Sequence, residues 1–157
     1  MFNEYDELCS IRLSSVKLNF FMSKVFKLAG MDSDSLESVV DGLIYASMRG
    51  IDSHGIRLFP HYVESLRRGT KNGNPSYEVV QSAPTRLSVD ANGAFGLAAG
   101  RYALSRAEVI ARQEGVCVVV LGNSTHPAAL SAIISQSVRK GFIVFAFANA
   151  DSLMTNH

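Results

Sequence analysis

The run Val116-Cys117-Val118-Val119-Val120-Leu121 constrains this chain more than any other stretch. A continuous apolar, β-branched segment is expected to be a strand covered on both faces. Strands of that kind belong to α/β proteins with helices packed on a parallel sheet. Residues 128–140 follow with helical spacing that puts Ala129, Ile133, Ile134 and Ser137–Val138 on an inner side, and Gly141 stops that helix. Phe142-Ile143-Val144-Phe145-Ala146-Phe147-Ala148 is a second apolar run. Strand, helix and strand in this order predict a βαβ unit with parallel strands. The fold class is α/β.

Helices dominate upstream. Residues 14–29 carry Val16, Phe20, Phe21, Val25, Phe26 and Leu28 near helical spacing, ending at Gly30. Asp32-Ser33-Asp34-Ser35 offers several N-caps, with Glu37 three residues after Asp34 in the capping-box position. Leu36, Val39, Val40, Leu43 and Ile44 form the apolar stripe of a second helix that ends near Gly50. Asp52-Ser53-His54-Gly55 is a loop, and Leu58 to Arg68 is a third helix with Phe59, Tyr62, Val63 and Leu66 on one face. Short strands fit Tyr77–Gln81 and Arg86–Val89. A turn is expected at Asp90-Ala91-Asn92-Gly93, then an alanine-rich helix from Leu97 to Glu114 closed by Gly115. The division is a helical region with short strands at 1–90, then the start of an α/β domain at 91–157.

Composition narrows the function classes. Apolar residues make up 47% and charged residues 18%, enough to build a core rather than a disordered tail. The formal charge is +1 with no basic block, so nothing points to nucleic acid. The longest apolar runs are far shorter than a membrane span. Met1-Phe2-Asn3-Glu4-Tyr5-Asp6-Glu7 is acidic and lacks a signal core, so a cytoplasmic location is the default. Cys9 and Cys117 stand far apart, and Cys117 is expected to be a buried thiol. Histidines 54, 61, 126 and 157 show no zinc-ligand spacing, so no metal is expected. Gly93, Gly96 and Gly100 do not make the Gly-x-Gly-x-x-Gly fingerprint of a Rossmann domain, and no Gly-x-Ser-x-Gly elbow occurs.

Three places could carry chemistry. Loops after parallel strands gather at one sheet edge, and two polar loops qualify: Gly122-Asn123-Ser124-Thr125-His126 and Asn149-Ala150-Asp151-Ser152. The third is His54, whose imidazole suits proton transfer to a carbonyl oxygen. Ser53 could relay or hold that proton, Asp52 could orient a neighbour, and Gly55 permits close approach. Arg57 supplies a cation for a carboxylate. The residue pattern alone leaves each of these open against plain solvated loops.

Met48-Arg49-Gly50-Ile51-Asp52-Ser53-His54-Gly55-Ile56 resembles the signature of the malate/L-lactate dehydrogenase family, which lacks a Rossmann fold. Tyr62–Gly69, Val89–Gly93, Gly115–Val120 and Asn123-Ser124-Thr125-His126 extend the likeness from about residue 11 onward. The resemblance implies hydride transfer between NAD or NADP and a small 2-oxo, 2-hydroxy or cyclic imino carboxylate. It implies His54 as proton donor with Ser53 behind it. It gives His126 a catalytic or cofactor role, and it puts the cofactor segment at His126, Pro127, Ala128, Ala129 and Leu130. Substrate contacts would fall on Arg57, Asp151 and Ser152, and a homodimer with sites near the subunit interface is implied.

The sequence also departs from the family. The family arginine usually lies four residues after the histidine, whereas Arg57 lies three after His54, a turn of roughly 100° at a helix start. The usual His-Phe-Gly or His-Ser-Gly becomes His126-Pro127-Ala128, and Ala150 precedes Asp151 where ureidoglycolate dehydrogenase has serine. Family enzymes are considerably longer. The resemblance therefore implies a truncated chain, weakly active or inactive alone, with apolar surface left uncovered. Two other functions fit: a non-catalytic interaction module pairing with a full-length relative, and a small-ligand binder using the strand-end loops.

Overall fold

A computed structural model of the chain describes residues 12–149. Cys9, Ala150, Asp151, Ser152 and His157 lie outside them. Helices α1 (Ser15–Leu28) and α2 (Ser33–Ser47) pack side by side. Gly30 ends the first in the left-handed region at φ +90°. Asp32 caps the second: its carboxylate accepts from the amides of Asp34 and Ser35, both at 2.9 Å. The cap is thus Asp32 itself, and the expected Asp34/Glu37 box does not form. Two single-turn 3-10 helices, Asp52–His54 and Ile56–Leu58, lead into α3 (Phe59–Arg67).

Strands β1 (Glu78–Ala83) and β2 (Arg86–Ala94) form an antiparallel hairpin. Helix α4 (Gly96–Glu114) then crosses over to β3 (Val118–Ser124), which pairs in parallel with β2. The sheet order is β1-β2-β3. Helix α5 (Leu130–Arg139) packs on α4. Glu108 ties the two helices together by accepting from Ser137 Oγ and Lys140 Nζ, each at 2.7 Å. No helix among the described residues is long and apolar enough to cross a membrane.

The core explains the helical periodicity. Met22 and Phe26 from α1 meet Val39, Val40 and Leu43 from α2, and Phe95 and Leu97 at the start of α4 close the cluster. Phe59 of α3 sets its ring edge-on against Phe26, 5.1 Å between centroids.

Six expectations change. The βαβ unit exists, but one step upstream: its strands are β2 and β3 and its helix is α4. The run 142–148 makes no ladder among the described residues, and Ile143, Phe145 and Phe147 are 89%, 82% and 91% exposed. Only alternate side chains there are partly covered, and without a ladder the β-propensity of the run has no hydrogen-bonded partner to act on. β3 is covered on one face alone: Val119 and Leu121 are half-buried beneath α4, while Val118 and Val120 are exposed, and so is Val116 just before it. Cys117 is half-buried rather than enclosed. Asp90–Gly93 is not a chain reversal but an irregularity inside β2, where Asn92 and Gly93 take φ of 50° and 75° and the parallel register slips. On α5 the buried residues are Ala132, Ile133 and Ser137, and Val138 faces outward.

Candidate active site

The short connection between α2 and α3 holds His54. Its shape comes from Ser47, whose hydroxyl accepts from the Ile56 amide at 2.8 Å. Gly55 lies buried against that hydroxyl. Any Cβ there would overlap Ser47 Oγ and come within 3.0 Å of the Ser47 amide nitrogen. The glycine is therefore required by space, not by backbone angle. Pinned in this way, His54 is half-buried, and its Nδ1 lies 2.8 Å from Ser53 Oγ. The hydroxyl holds one ring nitrogen and leaves Nε2 to face outward chemistry.

The second histidine arrives on the loop after β3. The Thr125 amide donates to Ala94 O at 3.0 Å, and Thr125 Oγ1 accepts from the Gly96 amide at 3.2 Å. These bonds lash the loop to the junction between β2 and α4. The Ala128 amide donates to His126 Nδ1 at 3.1 Å, so the neutral ring carries its proton on Nε2. Ala128 adopts φ +54° to make that contact.

The two loops converge. The rings of His54 and His126 lie 5.3 Å apart at 40°. Two cations at that distance repel in a partly desolvated setting. The His126 imidazole is held below its ordinary value by burial first, then by the charges of His54 and Lys71. The shift favours the uncharged form of His126. Folded, it binds fewer protons than unfolded, so its contribution makes stability rise with pH between the two values. We expect a proton NMR titration to show His126 with a midpoint below about 6.5, the ordinary imidazole value. In His54→Ala that midpoint should move up. An unchanged midpoint would mean that the rings are not electrostatically coupled.

Lys71 and Tyr62 complete this corner, and no site role is expected of either from the sequence. Lys71 Nζ lies 4.5 Å over the Tyr62 ring and 5.3 Å from the Phe95 ring centre. Tyr62 packs on Phe95 at 4.9 Å, and burial pushes its phenol up to about 12, so it stays a neutral O–H donor. Burial lowers the Lys71 amine. The signal that could have found Tyr62 is its place on the inner face of α3; Lys71 has no such mark.

The remaining expected residues scatter. Arg57 is exposed on the second 3-10 turn, and no contact ties it to His54 or His126. Pro127 is half-buried. Ala128 and Ala129 are buried in the core cluster, with Leu130 packed against it, so their side chains serve packing and only their backbone is free for a ligand. Asp52 is exposed, its carbonyl accepting from Gly55. Asp151 and Ser152 lie outside the described residues.

A cleft of about 470 Å³ between α2 and α4 is lined by Asp32, Asp34, Glu37, Tyr77, Arg101 and Tyr102 among others. None of the expected site residues lines it, and three carboxylates on its wall make it a poor host for an anionic substrate.

Residues 13–157 match the family model described as malate/L-lactate dehydrogenase. The chain is 28% identical over 144 residues to a ureidoglycolate dehydrogenase (NAD(+)) from Escherichia coli K12, covering 92% of this chain and 41% of that protein. Hydroxycarboxylate dehydrogenase B from Escherichia coli O157:H7 is 32% identical over 136 residues, with coverage of 87% and 38%. The solved structure of malate dehydrogenase from Pyrococcus horikoshii OT3 superposes with a TM-score of 0.80 at 25% identity, over 83% of this chain and 38% of that one. The chain thus spans about two fifths of the length of the relatives it matches, and across that span the conformation is shared. On the sequence match and the shared fold together, this chain belongs to the malate/L-lactate dehydrogenase family.

Proposed function

We propose that the chain forms the proton-donating part of a site that interconverts a 2-oxo acid and a 2-hydroxy acid, or a related imino acid, with NAD or NADP. The observation that carries this reading is the meeting of His54 and His126 from opposite ends of the fold, at 5.3 Å, with Ser53 behind one ring. His54, the histidine of the family-like Asp-Ser-His-Gly run, is the acid in this reading. Its Nε2 proton passes to the substrate carbonyl oxygen as negative charge develops there, while Ser53 holds Nδ1 and keeps the ring aimed. The family's nicotinamide cofactor supplies the hydride when bound. The start of α5 fits an anionic cofactor: the Leu130 and Ser131 amides have no acceptor among the described residues. Ala128 and Ala129 add only small buried side chains, so backbone can approach closely. Residues 1–90 thus supply the acid, and residues 91–157 the cofactor-side loop.

The test is ligand binding by the purified chain. Oxamate, an isostere of a 2-oxo acid, is expected to shift the ring signals of both histidines saturably. NADH or NADPH fluorescence is expected to change on mixing, with slow 2-oxo-acid-dependent oxidation. Oxamate that leaves both rings unmoved would sink the reading.

A second reading has its own observation. Val116, Val118 and Val120 on β3, with Phe145 and Phe147 beyond α5, form exposed apolar surface. That favours an interaction module pairing with a full-length relative. Co-purification with such a relative supports it, and a clean monomer at high concentration counts against it.

A further inference from the structure

Lys71 is unusual for what surrounds it. Its amine sits against the faces of Tyr62 and Phe95, and it makes no hydrogen bond or ion pair among the described residues. Ring faces attract a cation, yet they supply no oxygen to it. The charge of Lys71 reaches His126, and the charge of His54 does too. No carboxylate is among the groups acting on either Lys71 or His126. Phe95 directly precedes Gly96, whose amide donates to Thr125 beside His126, so Lys71 and His126 flank the same strand–helix junction. The junction therefore brings a cation near two paired imidazoles, and none of the three forms an ion pair among the described residues.

We propose that Lys71 binds the carboxylate of the 2-oxo or 2-hydroxy acid, the role the sequence offered to Arg57. This rests on the reading given under Proposed function. A 2-oxo acid places its carboxylate on the carbon next to its carbonyl. A cation beside the histidine pair supplies a partner for the first group while His54 serves the second. Lys71 acts as a point charge on a flexible stem, so it needs no planar, two-pronged fit of the kind an arginine makes. The aromatic floor of Tyr62 and Phe95 excludes water beneath it and strengthens the attraction. Exposed Arg57, by contrast, is surrounded by solvent and can be dispensed with.

The experiment measures oxamate affinity by NMR on the full chain. Lys71→Met is expected to weaken oxamate about tenfold to a hundredfold, the loss of one charge-assisted hydrogen bond. Lys71→Arg should restore binding to within about threefold, because the charge returns. Arg57→Ala should leave affinity unchanged, and hydroxyacetone, which lacks the carboxylate, should bind equally to wild type and Lys71→Met. In wild type, saturating oxamate should raise the His126 midpoint by neutralising its cationic neighbour, and Lys71→Met should raise it without ligand. Should Lys71→Met lose its fold, Lys71→Arg and the wild-type midpoint still decide the matter. Wild-type binding that Lys71→Met does not weaken, or that Arg57→Ala abolishes, would overturn the assignment to Lys71 and leave the proposed function standing. No oxamate binding in wild type would overturn both.

Discussion

Gly96→Ala is expected to destabilise the chain by roughly 3 kcal/mol or more, although alanine is the better helix former by about 1 kcal/mol. Gly96 is the first residue of α4, and its missing side chain is where the histidine loop passes. A Cβ there would overlap Thr125 O, and would lie 2.6 Å from Pro127 Cα and 2.7 Å from His126 O. All three are backbone atoms, so no rotamer change relieves the clash. The loop must move as a unit. That movement strains the bonds from Gly96 N to Thr125 Oγ1 and from Thr125 N to Ala94 O, each contributing about 1 kcal/mol. Against a total stability of about 5–15 kcal/mol this is a large fraction. For a chain of this size the melting temperature should fall by roughly 6–12 °C. The same displacement should separate the two imidazoles, so the His126 midpoint should drift toward the ordinary value. A variant melting within about 2 °C of wild type would show that the loop yields without resistance.

Phe95→Ala is the second large effect, expected at about 3–5 kcal/mol in chemical denaturation. Phe95 is 1% exposed and touches both halves of the structure. Its ring supports Tyr62 at 4.9 Å and forms part of the face beneath Lys71. Removing it leaves a cavity that neighbours on α2 and α4 fill only partly, because each is fixed by its own helix. Phe95→Leu should recover most of the loss by refilling the space. A cost below about 1 kcal/mol for the alanine variant would mean that the core can collapse around the gap.

Helix positions were legible because periodicity and stop signals agree. The Leu36–Ile44 stripe, Gly30 and Gly115 lie where the pattern puts them. The strands were harder. Apolar β-branched runs report that a segment can be covered, not that it is. At Val116–Leu121 and Phe142–Ala148 the sequence reads as interior, yet one side of each faces outward. Asn92-Gly93 carries turn chemistry, and the chain spends it on an irregular strand because β3 continues the sheet alongside. The motifs single out His54 and His126 individually as candidates. Their meeting was not, since it depends on bonds between the loop after β3 and the end of β2. Lys71 was invisible for the same reason: its neighbours come from α3 and from the strand–helix junction, and local spacing says nothing about them. Arg57, suggested by its nearness to His54 and by the resemblance, lies exposed on the second 3-10 turn.

The crossover from β2 through α4 to β3 also governs when this chain acquires its site. α1 and α2 bring together residues close in sequence and can form early. The imidazole pair waits for a parallel strand pairing that closes a long loop, the costly, late kind of contact. During refolding, helical signals should recover in a fast phase and ring coupling in a slow one. An intermediate rich in helix would carry His54 in place and have no His126 beside it.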